Sequence, residues 1–158
     1  MRKFSTLIHL KAKSQHIDRT LDSLRMSDEL LVVDHVATEE TRELLRKHGA
    51  SVLDAIDGVH EGAYATNASY DWVLLVHPSE SPDGELRAAL ESWKKEDTQK
   101  DDQVTGYTVA VALRPADVEK NNHRELRFVN RTRINWMDEL PNSASNVLSF
   151  PGSLLRIA

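Results

Sequence analysis

The segment DWVLLVHPSE, residues 71–80, carries the residue types best suited to chemistry in this 158-residue chain. Val73 to Val76 are continuously apolar, and His77, Pro78, Ser79 and Glu80 follow directly. Histidine can ligate a transition metal or exchange a proton near neutral pH. Glutamate offers a hard cation a carboxylate, whereas a serine hydroxyl is a much poorer ligand. The stretch therefore reads as a metal site, a substrate site, or a site that has lost its chemistry. Two other apolar runs end in polar residues in the same way. STLIHL leads into His9, Lys11 and Lys13, and ELLVVD ends at Asp34. The lysines could meet a diphosphate or be a solvated pair. Asp34 could accept a bond from a ligand or cap the next helix. No G-x-G-x-x-G, P-loop or G-x-S-x-G motif is present.

These residues need a frame that brings strand ends together. Ile17, Leu21 and Leu24 share one helical face, and Leu44 and Leu45 face inward in a helix opened by Thr38, Glu39 and Glu40 and closed by Gly49. Leu86, Leu90 and Trp93 mark a third helical face, and GAYATNAS reads as a short helix. Near-continuous apolar strands alternating with helices indicate a parallel sheet covered on both faces. The expected strand order is 3-2-1-4. Ligands on such sheets lie beyond the carboxyl ends of the strands. After Trp93 come two polar connectors, KKEDTQKDDQ and RPADVEKNNHRE, around a strand in VTGYTVAVAL. LRFVNRTRINW alternates, which places Arg127, Arg131 and Arg133 on an exposed strand face, while Trp72 and Trp136 read as core aromatics. The tail from Met137 reads as irregular, interrupted by Pro141 and Pro151. The second half could form a small subdomain over the ligand edge.

Composition sets limits on function. Hydrophobic residues make up 40% of the chain and charged residues 28%, as in ordinary globular proteins. The net charge of −5 argues against nucleic acid as a partner. Without cysteine there is no disulfide, thiolate metal site or cysteine nucleophile. The apolar runs are too short for a transmembrane segment, and the amino-terminal stretch lacks a signal-peptide core. The expectation is a cytoplasmic protein, with peripheral membrane contact left open.

The order and spacing of STLIHLKAKSQHIDRTLDSL, DELLVVDHVATEETRELLRKHGASVL and YDWVLLVHPSESPDGEL resemble the family 2 glycosyltransferases, nearest the bacterial lipopolysaccharide core branch. The resemblance spans about residues 4–93 and continues weakly to about 142, through ELRFVNRTRINW, which is similar to that family's L-R-L-F-R-R…W segment. It implies an α/β, GT-A-like nucleotide-diphospho-sugar transferase fold. It also implies one domain over 1–158, with a nucleotide-binding-type half (1–95) and a shortened second half (96–158). By the same resemblance, His9, Lys11, Lys13, Asp34 and Asn67 fall in the nucleotide-binding region.

The family's Asp-x-Asp holds a divalent metal on the nucleotide diphosphate. Here it falls on His77 and Ser79, and only Glu80 of that motif is kept. The arginine of its R-N pair falls on Thr66, its Asn-Glu turn on Ala12 and Lys13, and its later His-Glu on Pro141 and Asn142. Several phosphate and metal contacts are thus replaced together. The expected protein is glycosyltransferase-like and degenerate at its metal and catalytic positions, with no metal cofactor. Partners would be a nucleotide, a nucleotide sugar or another protein. An active enzyme would use His77 and Glu80 around Mn²⁺ or Mg²⁺, with Asp57 or Asp138 as base. A purely structural module is the third reading.

Overall fold

The computed structural model describes residues 1–59, 61–96, 103–112, 123–136, 141 and 145–157. Its first half is β1 (Ser5–Leu10), α1 (Ile17–Ser23), β2 (Glu29–Asp34), α2 (Glu39–Lys47), β3 (Ser51–Asp54), a 3₁₀ helix (Glu61–Asn67) and β4 (Trp72–Leu75). Then follow β5 (Glu80–Pro82), α3 (Gly84–Lys95), β6 (Gly106–Ala112), β7 (Arg124–Asn130) and β8 (Val147–Arg156). Both polar connectors of the second half lie largely outside the described residues.

All eight strands form one sheet in the order β3-β2-β1-β4-β7-β6-β8-β5. The first four are parallel, in the order expected from the sequence. Helix ends follow local chemistry. Thr38 caps α2 by accepting from the Thr41 amide, and Asp83 caps α3 by accepting from the Leu86 amide at 2.9 Å. Gly49, with φ of 79°, supplies the left-handed residue that ends α2.

The apolar runs are continuous because each face of the sheet is covered. One face packs Phe4, Ile8, Val32 and Leu74 with α1, α3 and the aromatics Trp72, Trp93 and Phe128. The other packs Leu7, Leu31, Val33 and Leu75 with Tyr64 and Ala65 of the 3₁₀ helix. Trp72 stacks on Phe128 at 5.2 Å, and Trp93 meets the same ring edge-on at 4.8 Å. Trp136 is half-buried against the second cluster.

The second half supplies the extra strands: β7 joins β4 antiparallel and the others build outward, so the described residues of the second half extend the sheet rather than form a separate layer over its edge. The tail reads as irregular in the sequence, but its last part, Val147–Arg156, is a ten-residue strand. Pro151 is accommodated because a bulge interrupts the pairing: β6 residues Thr108 and Ala110 face Ser149 and Ser153. Gly152 takes the left-handed conformation there, φ 85°, pressed against the start of α3. A Cβ at that position would lie 2.2 Å from the Leu86 amide nitrogen.

Candidate active site at the carboxyl edge of the parallel strands

Parallel register brings Leu10, Asp34 and Asp54 side by side at the carboxyl ends of β1, β2 and β3. β4 runs in the same direction and delivers His77 to the same edge. The Asp34 side chain is fully buried. Its Oδ1 accepts the Val36 and Ala37 amides at 2.9 and 3.0 Å, which stabilises the left-handed backbone of Ala37 at φ 59°. Its Oδ2 lies 3.5 Å from Nε of Arg42, close enough for an ion pair though not a hydrogen bond. The same arginine, on α2, also binds Asp54. Asp34 therefore organises the entry to α2, and its outer oxygen faces a cation from its own chain.

The remaining nucleotide-region residues sit around this pair. His9 is buried, with its ring 5.9 Å from His35 and 5.7 Å from Tyr64. The Tyr64 hydroxyl accepts the Ile56 amide at 2.7 Å and so ties the loop after β3 to the 3₁₀ helix. Lys11 and Lys13 are exposed, and the Lys13 ammonium lies 3.9 Å from Glu40. Asn67 is exposed at the end of the 3₁₀ helix and donates weakly to the Tyr64 carbonyl at 3.4 Å. Thr66, at the position of the family's arginine, is also exposed, and its carbonyl accepts from Arg131. Asp57 is exposed on the turn after β3. Asp138 and Asn142 lie outside the described residues, and Pro141 forms a bridge with Trp136.

Glu80 does not face the ligand edge. Its Oε1 accepts from Arg127 Nη1 at 2.8 Å and from the His77 amide at 2.8 Å, and its Oε2 accepts from Nη2 at 3.2 Å. Their side chains are 5% and 1% exposed, which makes this a buried, bidentate ion pair. Arg127 also donates to the Leu75 carbonyl and to Glu125. Burial works against the Arg127 charge, but Glu80 and then Glu125 outweigh it and hold its pKa above the ordinary arginine value. This corrects the placement of Arg127 on an exposed strand face. β7 lies inside the sheet between β4 and β6, both faces are covered, and alternation no longer marks exposure.

His77 and Ser79 are half-buried, and the Ser79 carbonyl accepts the Ile157 amide at 2.7 Å, which fastens the turn to the end of β8. Among the described residues no group of three or more His, Asp or Glu side chains is placed to hold a metal ion. The donors of the motif do not fit Mn²⁺ or Mg²⁺: one is an imidazole, one a hydroxyl, and the one carboxylate is already bound on both oxygens. The pairings of Arg127 and Arg42 escaped sequence reasoning. Their partners lie 47 and 12 residues away, so no local pattern marks them.

No protein-family model matches the chain. Over 95 residues it is 32% identical to an uncharacterized glycosyltransferase of Rickettsia prowazekii (strain Madrid E), covering 58% of this chain and 32% of that protein. An uncharacterized glycosyltransferase of Rickettsia typhi is 30% identical over the same length. The chain thus spans only 32% of the length of these curated relatives. Among solved structures, residues 1–349 of TarS from S. aureus superpose with a TM-score of 0.51 at 18% identity, covering 72% of this chain and 36% of that one. Glucosyl-3-phosphoglycerate synthase from Mycobacterium tuberculosis, in complex with Mn²⁺, uridine diphosphate and glucosyl-3-phosphoglycerate, superposes with a TM-score of 0.51 at 17% identity, covering 75% and 47%. At these identities the likeness speaks for the fold, which is the GT-A-like α/β arrangement expected from the sequence.

Proposed function

We propose that this glycosyltransferase family 2-like chain is a single domain degenerate at its metal and catalytic positions, retaining at most weak nucleotide-sugar recognition. The observation that carries this reading is the pairing of Glu80 with Arg127. Glu80 is what remains of the acidic motif, and Arg127 matches the arginine of the L-R-L-F segment. These retained polar positions bind each other, inside the protein, and hold the turn after β4 to β7. The positions that would handle a metal diphosphate have become His77 and Ser79. Fold-holding residues persist where transfer residues do not.

In this reading a nucleotide approaches the carboxyl edge between His9, Lys11 and Lys13 on one side and Asn67 on the other. A nucleoside reaching Asp34 Oδ2 would share it with Arg42, whose Nε lies 3.5 Å away. Recognition is correspondingly weak, and no metal cofactor takes part. The reading has the domain in the cytoplasm, with access to nucleotide sugars, and leaves room for a protein partner. The described helices include none long and apolar enough to cross a membrane.

The experiment is calorimetry of the protein with a panel of uridine and other nucleoside diphosphate sugars, with and without Mn²⁺, together with an assay for released nucleotide diphosphate. The expected result is weak binding that Mn²⁺ leaves unchanged, and no release. Metal-dependent release would overturn the proposal in favour of an active enzyme using His77.

A further inference from the structure

A cavity lies at the pole of the molecule opposite the carboxyl edge. It opens at the amino ends of β2 and β3 and the approach to β4, and it has a volume of about 390 Å³. That is within the range of roughly 300–1,000 Å³ typical of small-molecule sites. From this geometry we infer a binding site for a neutral carbohydrate, a sugar ring bearing several free hydroxyls, independent of the carboxyl edge.

The chemistry of the walls selects the ligand class. Two carboxylates line the cavity, and each already carries donors from the protein. Glu29 accepts from Ser5 Oγ at 2.8 Å, from the Ser69 amide at 2.9 Å and from Ser69 Oγ at 2.6 Å. Asp28 accepts the Phe4 amide at 3.0 Å and lies 3.1 Å from the Lys94 ammonium. A cation would find these charges compensated, and an anion would still meet two fixed carboxylates. Carboxylate oxygens have more acceptor sites than these partners fill, so they can take hydrogen bonds from hydroxyls.

Donors stand across from them. The Arg25 side chain is 75% exposed, with Nη2 bound to Asp22 and the rest of its donor fork free to reach a ligand. The Ser51 hydroxyl, on the first residue of the edge strand β3, is exposed to the cavity and can both give and accept. Tyr70 is half-buried in the lining, with the Lys3 ammonium 5.8 Å from its ring centroid, and adds an aromatic body to this polar set. Interleaved donors and acceptors, near-balanced charge and one aromatic wall match a molecule whose hydroxyls serve both roles and whose carbon face is apolar.

The test uses the full chain and three neutral probes (methyl α-glucopyranoside, methyl β-galactopyranoside and N-acetylglucosamine), with inorganic phosphate as the anionic control. Binding is followed by saturation-transfer NMR and by amide shifts in labelled protein. The expected result is saturable binding of at least one sugar, with shifts at Gly49, Ser51 and Ser69. Ser51→Trp, which fills the cavity from an exposed position, should weaken binding at least tenfold without moving the melting temperature. Tyr70→Ala gives a second variant with the same expected direction. Binding of phosphate alone, binding indifferent to both substitutions, or shifts confined to His9, Asp34 and His77 would each overturn the proposal. Since these shifts lie at the pole opposite the nucleotide edge, the outcome here is separable from that of the nucleotide-sugar panel.

Discussion

The two ends of the parallel strands have been finished differently. At the carboxyl ends of β2 and β3, charged side chains are matched to one another, with Asp34 and Asp54 sharing Arg42, and beyond the end of β4 Glu80 takes Arg127 inside the protein. At the amino ends, Glu29 is held by hydroxyl and amide donors, Asp28 is shared with Lys94, and an open cavity remains between them. Open α/β sheets place ligands at the first of these ends. In this chain the carboxylates at that end already face an arginine of the same chain, and ion pairs of this kind cost desolvation and gain rigidity. Strand topology fixes where a site can form, and the side chains then decide whether the position stays available.

The sharpest way to break the comparison is to unmatch the buried pair. Glu80→Ala or Arg127→Met alone should destabilise the protein by about 3–5 kcal/mol, because each removes the bidentate partner of a buried charge. Glu80→Leu combined with Arg127→Met should recover most of that loss in urea unfolding. Additive single effects would show that the two side chains act independently.

The next largest effect belongs to Gly152. An alanine there meets the Leu86 amide nitrogen at 2.2 Å and must hold φ at 85°. Overpacking costs roughly 1–3 kcal/mol, and the left-handed backbone adds roughly 1–2 kcal/mol. The urea midpoint should fall accordingly. A shift below about 0.5 kcal/mol would mean that β8 does not press on α3 as described.

These two positions also show how far the sequence could be read. β1 to β4 were legible, with their order, because both faces of the sheet are covered and the strands are therefore continuously apolar. β8 was not. Its Phe150-Pro151-Gly152 bulge breaks the alternation, and Pro151 reads as a terminator unless the bulge is known. Arg127 looked like a surface residue because alternation was taken as exposure in a strand that is covered on both sides. The candidate site was legible as a location, through Asp34 and His77 on one edge. Its internal pairing was not, since Arg127 and Glu80 meet only in the folded sheet.

Asp34 gives a smaller and more selective test. Asp34→Ala removes the acceptor for two amides and should cost about 1–3 kcal/mol. Asp34→Asn keeps an acceptor oxygen for the same turn and should retain most of the stability, as judged by thermal melting. Equal losses in both variants would point to the charge facing Arg42 as the dominant contribution.

The smallest effects are expected at the amino edge. Ser69→Ala should cost about 0.5–1.5 kcal/mol, typical of one hydrogen bond. Burial works to raise the Glu29 pKa, but the amide and hydroxyl of Ser69, with Ser5, outweigh it and hold it below the ordinary glutamate value. A carboxyl group lowered in this way stabilises the fold above its unfolded pKa of about 4.3. That contribution is lost as pH falls through the lower folded value. The difference between wild type and Ser69→Ala in urea midpoint should therefore shrink between pH 6 and pH 3. A difference that does not change with pH would remove Glu29 from the account.

The 47 residues between Glu80 and Arg127 also set a schedule during synthesis. At about 5–20 residues per second, the ribosome makes the carboxylate roughly 2–9 s before its guanidinium. During that interval β1 to β4 are complete and the turn after β4 carries an acid with no counterion to bury beside. The turn must stay hydrated until β7 arrives, because its carboxylate cannot be buried unpaired. A nascent chain stopped before Arg127 should accordingly remain open to protease at Val76–Pro82, and the chain carrying both β7 and β8 should be protected there.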